Sequence, residues 1–293
     1  MEIAYFLTDL KTETLDILKK YNLTPKKYFS QNFVINSALN NLHIKNLDLK
    51  DDDEIIEIGG GLGFLTKDIA EKVSKIITLE IDINMAKILR TRLKDYSNVE
   101  IIEIDALKID SNLFENRKIV SNTPYSISSV LLFKILEARN YICSSLSFQK
   151  EFAERLIAQP NTSKYGKISL TSKIFSKIEL VDYIPKNYFY PIPKVDSAVV
   201  KILPRSEIEC DNLTFLLKFI REIFNYRNKI LKNGVRYFLK KENISLDMNK
   251  LEADNSLILE RKILTLSLEE IILFTKELRK INNFGQYFEG IKL

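Results

Sequence analysis

The stretch Glu54-Ile55-Ile56-Glu57-Ile58-Gly59-Gly60-Gly61-Leu62-Gly63 decides the fold. An isoleucine-rich run passes directly into a glycine-rich turn, and the turn opens an amphipathic segment, so the order is strand, turn, helix. Glycines allow the chain to turn tightly and to bring its backbone close to a ligand at a helix N-terminus. A nucleotide-like ligand is expected there. The glycine spacing departs from the dinucleotide fingerprint, and Glu57 precedes the turn. A carboxylate at that point repels a pyrophosphate and attracts a cationic amino group, which favours S-adenosylmethionine over NAD.

Working outward, Glu54 to Ile58, Lys75 to Leu79, Val99 to Ile104, Arg117 to Ser121 and Ile142 to Phe148 read as strands separated by helical patterns. Strands alternating with helices imply βαβ crossovers and a parallel sheet, a doubly wound, Rossmann-like α/β core. After Lys164 a helix-like run reaches about Ser176, followed by β-rich runs at Ile178 to Tyr183 and Val195 to Leu203. The short linker between them carries Pro185, Pro191 and Pro193, which forbid a helix, so the closing strands should be antiparallel and the sheet mixed. Beyond Pro204 the runs Leu213 to Lys241 and Leu257 to Leu278 show helical periodicity, with a capping-box start at Ser267. The expected organisation is an N-terminal helical extension over residues 1–24, a core domain over 25–204 and a small all-helical domain over 205–293.

Composition narrows the function. The chain has 293 residues, a formal net charge of +5 and a single histidine, His43, with Cys143 and Cys210 as its only cysteines. No disulfide framework, Cys/His zinc site or histidine-based hydrolase can be assembled from that set, and no metal is expected. His43 lies in a polar helical stretch and is expected at the surface. No apolar run is long enough for a membrane helix and no secretory signal is visible, so a soluble, cytoplasmic protein is expected.

Acidic residues recur at successive strand tips. Glu80 can accept hydrogen bonds from both ribose hydroxyls, the task of an acid about 20 residues beyond the glycine turn in related folds. Asp82 reads better as the N-cap of the next helix, and Asp105 can accept a bond from an adenine amine. The fourth strand ends in Ser121-Asn122-Thr123-Pro124-Tyr125. Here the tetrad Asn122 to Tyr125, Asn-x-Pro-Tyr, resembles the target-amine motif of N6-adenine methyltransferases. The side-chain oxygen of Asn122 and a carbonyl near Pro124 can accept the two hydrogens of an adenine amine and favour sp³ character as a methyl group arrives. Tyr125 offers a ring for stacking.

From about Lys26 to Pro204 the chain resembles the KsgA-type ribosomal RNA adenine dimethyltransferases in consecutive blocks. These are Tyr28 to Phe33, Glu57 to Thr66, Asp105-Ala106, Asn122 to Tyr125, Gln149-Lys150-Glu151, Tyr165-Gly166-Lys167 and Phe189 to Val200. Asn225-Tyr226-Arg227-Asn228-Lys229 is similar to archaeal members. The resemblance implies a class I methyltransferase that uses S-adenosylmethionine to dimethylate two adjacent adenosines near the 3′ end of small-subunit ribosomal RNA, within a pre-ribosomal particle and as a monomer. It implies cofactor contacts from Gln31, Asn32, Val34, Glu57, Gly59, Gly61, Gly63, Glu80, Ile81, Asp105, Ala106 and Asn122. It also implies that Phe189 faces Tyr125 to sandwich a flipped adenine beside Asn122 and Pro124. Ser30 stands where the family usually has glycine, and Thr123 where it usually has leucine.

Between Arg227 and Lys241 the charged residues are Arg227, Lys229, Lys232, Arg236, Lys240 and Lys241, with no acid. A one-signed face of this kind suits RNA phosphate. Two other functions remain open at this point: an Erm-type enzyme acting on large-subunit RNA, and a non-catalytic RNA-binding assembly factor on the same fold.

Overall fold

The computed structural model describes residues 10–205, 208 and 210–282. In chain order the strands are β1 (Phe33–Val34), β2 (Glu54–Ile58), β3 (Lys75–Glu80), β4 (Val99–Glu103), β5 (Lys118–Asn122), β6 (Cys143–Gln149), β7 (Ser176–Ile184), β8 (Phe189–Tyr190) and β9 (Ser197–Pro204). The helices that position the site are α1 (Leu10–Lys20), α2 (Ser37–Leu47), α3 (Phe64–Ala70), α4 (Ile83–Arg92) and α5 (Ser128–Ala138). Two more, α6 (Lys150–Leu156) and α7 (Lys167–Phe175), follow β6.

Seven strands form one sheet in the order β4-β3-β2-β5-β6-β9-β7. β2 lies parallel to both β3 and β5. The chain therefore builds outward through β3 and β4, then returns to the other side of β2 to lay down β5 and β6. The reversal opens a crevice at the C-terminal ends of β2 and β5, the usual ligand position in such sheets. Ile55, Ile56, Ile76, Ile77, Ile119, Val120 and Leu146 are all buried, as expected for parallel strands covered on both faces. β9 pairs antiparallel with β6 and with β7, so the proline-bearing connection closes the sheet without a crossover.

Helix α1 occupies the middle of the N-terminal extension, and residues 1–9 lie outside the described residues. Its Ile17 and Leu18 pack on Phe33, Leu62, Met85 and Ile88, while Leu15 points outward. Away from the main sheet, β1 and β8 form a two-stranded antiparallel pair, Phe33 opposite Tyr190 and Val34 opposite Phe189.

The chain divides into two compact units, one comprising Met1–Ala153 and Ser176–Pro204, the other Glu154–Phe175 and Arg205–Leu293. The expected boundary near residue 205 therefore needs correction, because Glu154–Phe175 belongs with the helical unit. Tyr165, Leu170 and Ile174 sit in one apolar cluster with Phe219, Phe238 and Leu266, and the buried Tyr165 hydroxyl donates to the Leu266 carbonyl at 2.9 Å.

The helical unit also contains α8 (Leu213–Ile223), α9 (Leu231–Lys241), α10 (Met248–Leu259) and α11 (Leu268–Asn282). The long periodic run from Leu213 to Lys241 is thus two helices, separated by a turn of 3₁₀ helix at Phe224–Tyr226. The buried stripe Phe215, Leu216, Phe219, Ile220, Ile223 on α8 shares a core with Leu231, Val235, Phe238 and Leu239 of α9. Each buried Leu or Phe contributes about 1.5–3 kcal/mol. The capping box forms: Glu270 N donates to Ser267 Oγ at 3.2 Å, and Ser267 N to Glu270 Oε2 at 2.9 Å.

Candidate active site

A cavity opens at the crevice, lined by the glycine turn and the ends of β2, β3 and β5. Gly60 and Gly61 explain why this turn requires glycine. A Cβ on Gly60 would lie 2.3 Å from Thr78 Cγ2, and Gly61 has φ +54°. That conformation aims the Gly61 N–H at Glu80, whose Oε2 accepts it at 2.9 Å. The other oxygen, Oε1, accepts from Asp82 N at 2.9 Å. Glu80 therefore ties the turn to the tip of β3, a structural task. Burial raises its pKa.

Glu57 is 2% exposed. Its Oε2 accepts from Thr66 Oγ1 at 2.6 Å and Thr78 Oγ1 at 3.0 Å, and its other oxygen has no partner among the described residues. Burial pushes this carboxyl up to about 7, against the opposing pull of the two hydroxyls. A carboxylate with one open oxygen in an apolar surround favours a cation beside it. The residues thus fit a ligand that brings an ammonium group to Glu57 and hydroxyls to Glu80, as S-adenosylmethionine does. Asp105 lines the same cavity, with Oδ1 accepting from Leu107 N at 2.9 Å.

The opposite wall is the segment before β1. Gln31 and Asn32 line the cavity, but Gln31 is already engaged: Nε2 donates to Asp82 Oδ2 at 2.8 Å and Oε1 accepts from Lys26 N at 2.8 Å. Asp82 caps α4 through Asn84 N at 3.0 Å and pairs with Lys26 at 2.8 Å. These partners hold its pKa low against the cost of burial. The Lys26–Asp82–Gln31 network fastens this wall to the start of α4. Ser30 adopts φ 52° and ψ 36°, the left-handed region in which glycine is at ease, which accounts for the glycine usual there.

Of the expected cofactor contacts, Val34, Gly59, Ile81, Ala106 and Asn122 also line the cavity; Gly63 does not, and serves as the N-cap of α3. Sequence reading missed the apolar lining from Tyr28, Phe29, Leu62 and Met85, and missed Asn40. Asn40 donates to Asp68 Oδ2 at 3.0 Å, and its own oxygen is buried without a partner.

At the tip of β5, Asn122 and Pro124 line the cavity. Tyr125 begins a 3₁₀ turn, and its hydroxyl is 2.6 Å from Ser197 Oγ on β9. Phe189 departs from expectation. It is 4% exposed and packs with Val34, Leu39, Ile184 and Val199, and no ring contact joins it to Tyr125. Pairing with β1 turns it toward the core.

His43 also corrects an expectation. Instead of lying at the surface it is wholly buried, with Ser145, Ser147 and Asn122 as neighbours, and burial lowers its pKa to about 4. The signal was present as Leu39, His43 and Leu47 at four-residue spacing with Asn40 beside Leu39, all of them buried on α2.

In the helical unit the one-signed reading of the basic run also needs correction. Lys232 pairs with Glu252 at 2.9 Å, Arg236 lies 3.9 Å from the same carboxylate, and Lys241 pairs with Glu222 at 2.6 Å. These acids come from α10 and α8. Arg227 donates to the Tyr165 carbonyl at 2.8 Å. Lys229 and Lys240 are exposed. Among the described residues no helix is long and apolar enough to cross a membrane, and no group of three or more His, Cys, Asp or Glu residues could hold a metal ion.

A family sequence model described as ribosomal RNA adenine dimethylase matches residues 22–273. "Probable ribosomal RNA small subunit methyltransferase A" of Methanosarcina barkeri is 36% identical over 242 residues, covering 81% of this chain and 83% of its own. The protein of the same name from Methanothermobacter thermautotrophicus is 34% identical over 267 residues, covering 91% and 95%. A dimethyladenosine transferase structure from Plasmodium falciparum superposes with a TM-score of 0.74 at 26% identity, over 85% of this chain and 98% of that one. The 23S rRNA methyltransferase ErmE, at 23% identity and a TM-score of 0.67 over 84% and 99%, shares the fold.

Proposed function

The chain belongs to the ribosomal RNA adenine dimethylase family, and on that premise we propose that it dimethylates the N6 amines of two adjacent adenosines near the 3′ end of small-subunit ribosomal RNA, with S-adenosylmethionine as methyl donor. The observation that carries this reading is the convergence on one cavity of Glu57, Glu80, Asp105 and the Asn122–Pro124 segment. The relatives named small subunit methyltransferase A support the choice of RNA.

When bound, the cofactor supplies a methyl group on a positively charged sulfur. Glu57 takes the ammonium end, the lone pairs of Glu80 left over from Gly61 and Asp82 accept from the ribose hydroxyls, and Asp105 accepts from the adenine amine. Gln31 and Asn32 wall the methionine end. On the substrate side, the Asn122 side-chain oxygen and a carbonyl at the Pro124 turn accept the amine hydrogens. The nitrogen lone pair is thereby released from the ring toward the methyl group. Tyr125, tethered by Ser197, offers one stacking face. Sandwiching by Phe189 requires that ring to leave its apolar cluster. The methylated amine is acidic enough to lose its proton to water, so no general base is needed.

Lys229 and Lys240, with Arg227, Lys232 and Arg236, supply the phosphate-binding face of the helical unit. The enzyme works as a cytoplasmic monomer on a pre-ribosomal small subunit. The deciding experiment is transfer of labelled methyl groups to undermodified small subunits and to naked RNA, with primer extension across both ribosomal RNAs. Adjacent stops near the 3′ end of the small-subunit RNA are expected. A stop only in large-subunit RNA would assign an Erm-type activity, and no transfer at all would leave an RNA-binding factor.

A further inference from the structure

Behind Asn122 lies a chain of polar side chains whose middle members, His43, Ser145 and Ser147, are buried. Asn46 Nδ2 donates to Ser145 Oγ at 2.8 Å, and Ser145 Oγ lies 2.8 Å from His43 Nδ1. His43 Nε2 lies 2.9 Å from Ser147 Oγ and 3.2 Å from Asn122 Oδ1. Ser147 Oγ in turn donates to Asn122 Oδ1 at 3.0 Å. His43 and Ser145 are 0% exposed and Ser147 is 2% exposed, so each of these atoms must be satisfied within the chain.

The proton assignments follow from Asn122 Oδ1 facing the ring at Nε2. Ser147 has one proton and Asn122 Oδ1 has none, so a bare Nε2 would face that oxygen lone pair to lone pair. Nε2 therefore carries the hydrogen. In a neutral ring Nδ1 is then bare and accepts the Ser145 hydroxyl proton, and Ser145 accepts from Asn46. Every donor points toward Asn122. The opposite sense, with the hydrogen on Nδ1 and Ser145 donating onward, requires both end amides, Asn46 and Asn122, to be reversed, and the imidazole nitrogens tell the two senses apart. Burial keeps the ring neutral, with a pKa near 4.

We propose that His43 is a positioning residue for methyl transfer: its Nε2–H and the Ser147 hydroxyl pin the Asn122 carboxamide oxygen in one orientation. A lone pair of that oxygen is then left for the substrate amine. The inference rests on the reading that Asn122 accepts an adenine amine hydrogen. An amide that has lost these two donors turns its NH2 toward the substrate and repels that hydrogen. Hydrogen bonds aligned in one sense also strengthen one another.

Two measurements test the proposal. His43 is the only histidine, so its nitrogens give a single pair of imidazole signals. Nitrogen-15 NMR of the free protein at about pH 7 should show hydrogen on Nε2 and a bare Nδ1, whereas hydrogen on Nδ1 overturns the proposal. This result does not depend on any RNA, so it stands apart from the adenosine reading, which falls if the wild-type protein transfers no methyl group.

The second measurement is single-turnover methylation at saturating RNA. Ser147→Ala and His43→Leu should each slow transfer by roughly 10-fold to 100-fold, below the roughly 100-fold to 1000-fold cost of removing a transition-state hydrogen-bonding group outright because each leaves the other donor in place, with cofactor affinity within about twofold by calorimetry. Combined with Asn122→Ala, neither should add a further loss, because both act through that side chain. Wild-type rates in Ser147→Ala, or losses that multiply in the Asn122→Ala background, refute it. Should His43→Leu not fold, Ser147→Ala and His43→Gln, which keeps one donor and one acceptor, carry the same comparison.

Discussion

Replacing Glu57 by glutamine should remove most of the pH dependence of cofactor binding below neutrality. In the free protein the carboxyl titrates at about 7 because it is buried. An ammonium group against its open oxygen requires the ionised form, so apparent affinity follows the ionised fraction of the free protein. That fraction is about 3% at pH 5.5 and about three quarters at pH 7.5, so affinity should rise about 25-fold across the interval, about 1.9 kcal/mol. Burial raises Glu80 as well and steepens the wild-type limb, and the difference between wild type and Glu57→Gln isolates Glu57. Calorimetry at about pH 6 in buffers of different ionisation enthalpy should count about 0.9 proton released per S-adenosylmethionine bound by the wild type, and far less by the variant. Heats independent of buffer, or an affinity flat from about pH 5.5 to 7.5, would refute the ammonium contact.

The same groups predict opposed effects on stability. Glu57 is raised from 4.5 to about 7, so its contribution is full below 4.5 and lost as pH rises through 7; His43 is lowered from 6.5 to about 4, so its contribution is full above 6.5 and lost as pH falls through 4. Thermal melts of Glu57→Gln should therefore show Tm climbing with pH across the shared window more steeply than the wild type. Phe189→Ala should destabilise by about 3–5 kcal/mol while Phe189→Leu costs under about 1.5 kcal/mol in denaturant titrations; a Leu variant that folds normally but loses methylation would show that the ring stacks on the base. Charge reversal at Lys229 and Lys240 should flatten the salt dependence of RNA binding by about one unit of log–log slope per contact. Reversal at Lys232 and Arg236, which Glu252 already screens, should do less.

What could be read in the sequence follows physical locality. The strands were legible because central parallel strands are apolar on both faces, and runs such as Glu54–Ile58 and Lys75–Glu80 carry that mark. The cavity was legible where one side chain at a strand tip lines it, as at Glu57, Glu80 and Asn122. Three features depended on partners distant in sequence. His43 sits among polar neighbours in the chain, yet meets Ser145 and Ser147 on β6. Lys232 and Lys241 stand in a run free of acids, but their carboxylates arrive from other helices. Phe189 was expected to face Tyr125, but its pairing with Val34 turns it inward.

That pairing has a bearing on synthesis. Phe33–Val34 and Phe189–Tyr190 fasten like a clasp across roughly 150 residues of intervening chain. At translation rates of about 5–20 residues per second, the second half of the clasp leaves the ribosome on the order of 10 s or more after the first. The glycine turn and Glu80 exist well before then, but the wall carrying Gln31 and Asn32 has no strand to pair with. A nascent chain therefore cannot fasten this wall of the cavity to β8 until Phe189 and Tyr190 have been made. Truncations that end before Phe189 should leave this wall open to proteases, with β2 to β6 already in place.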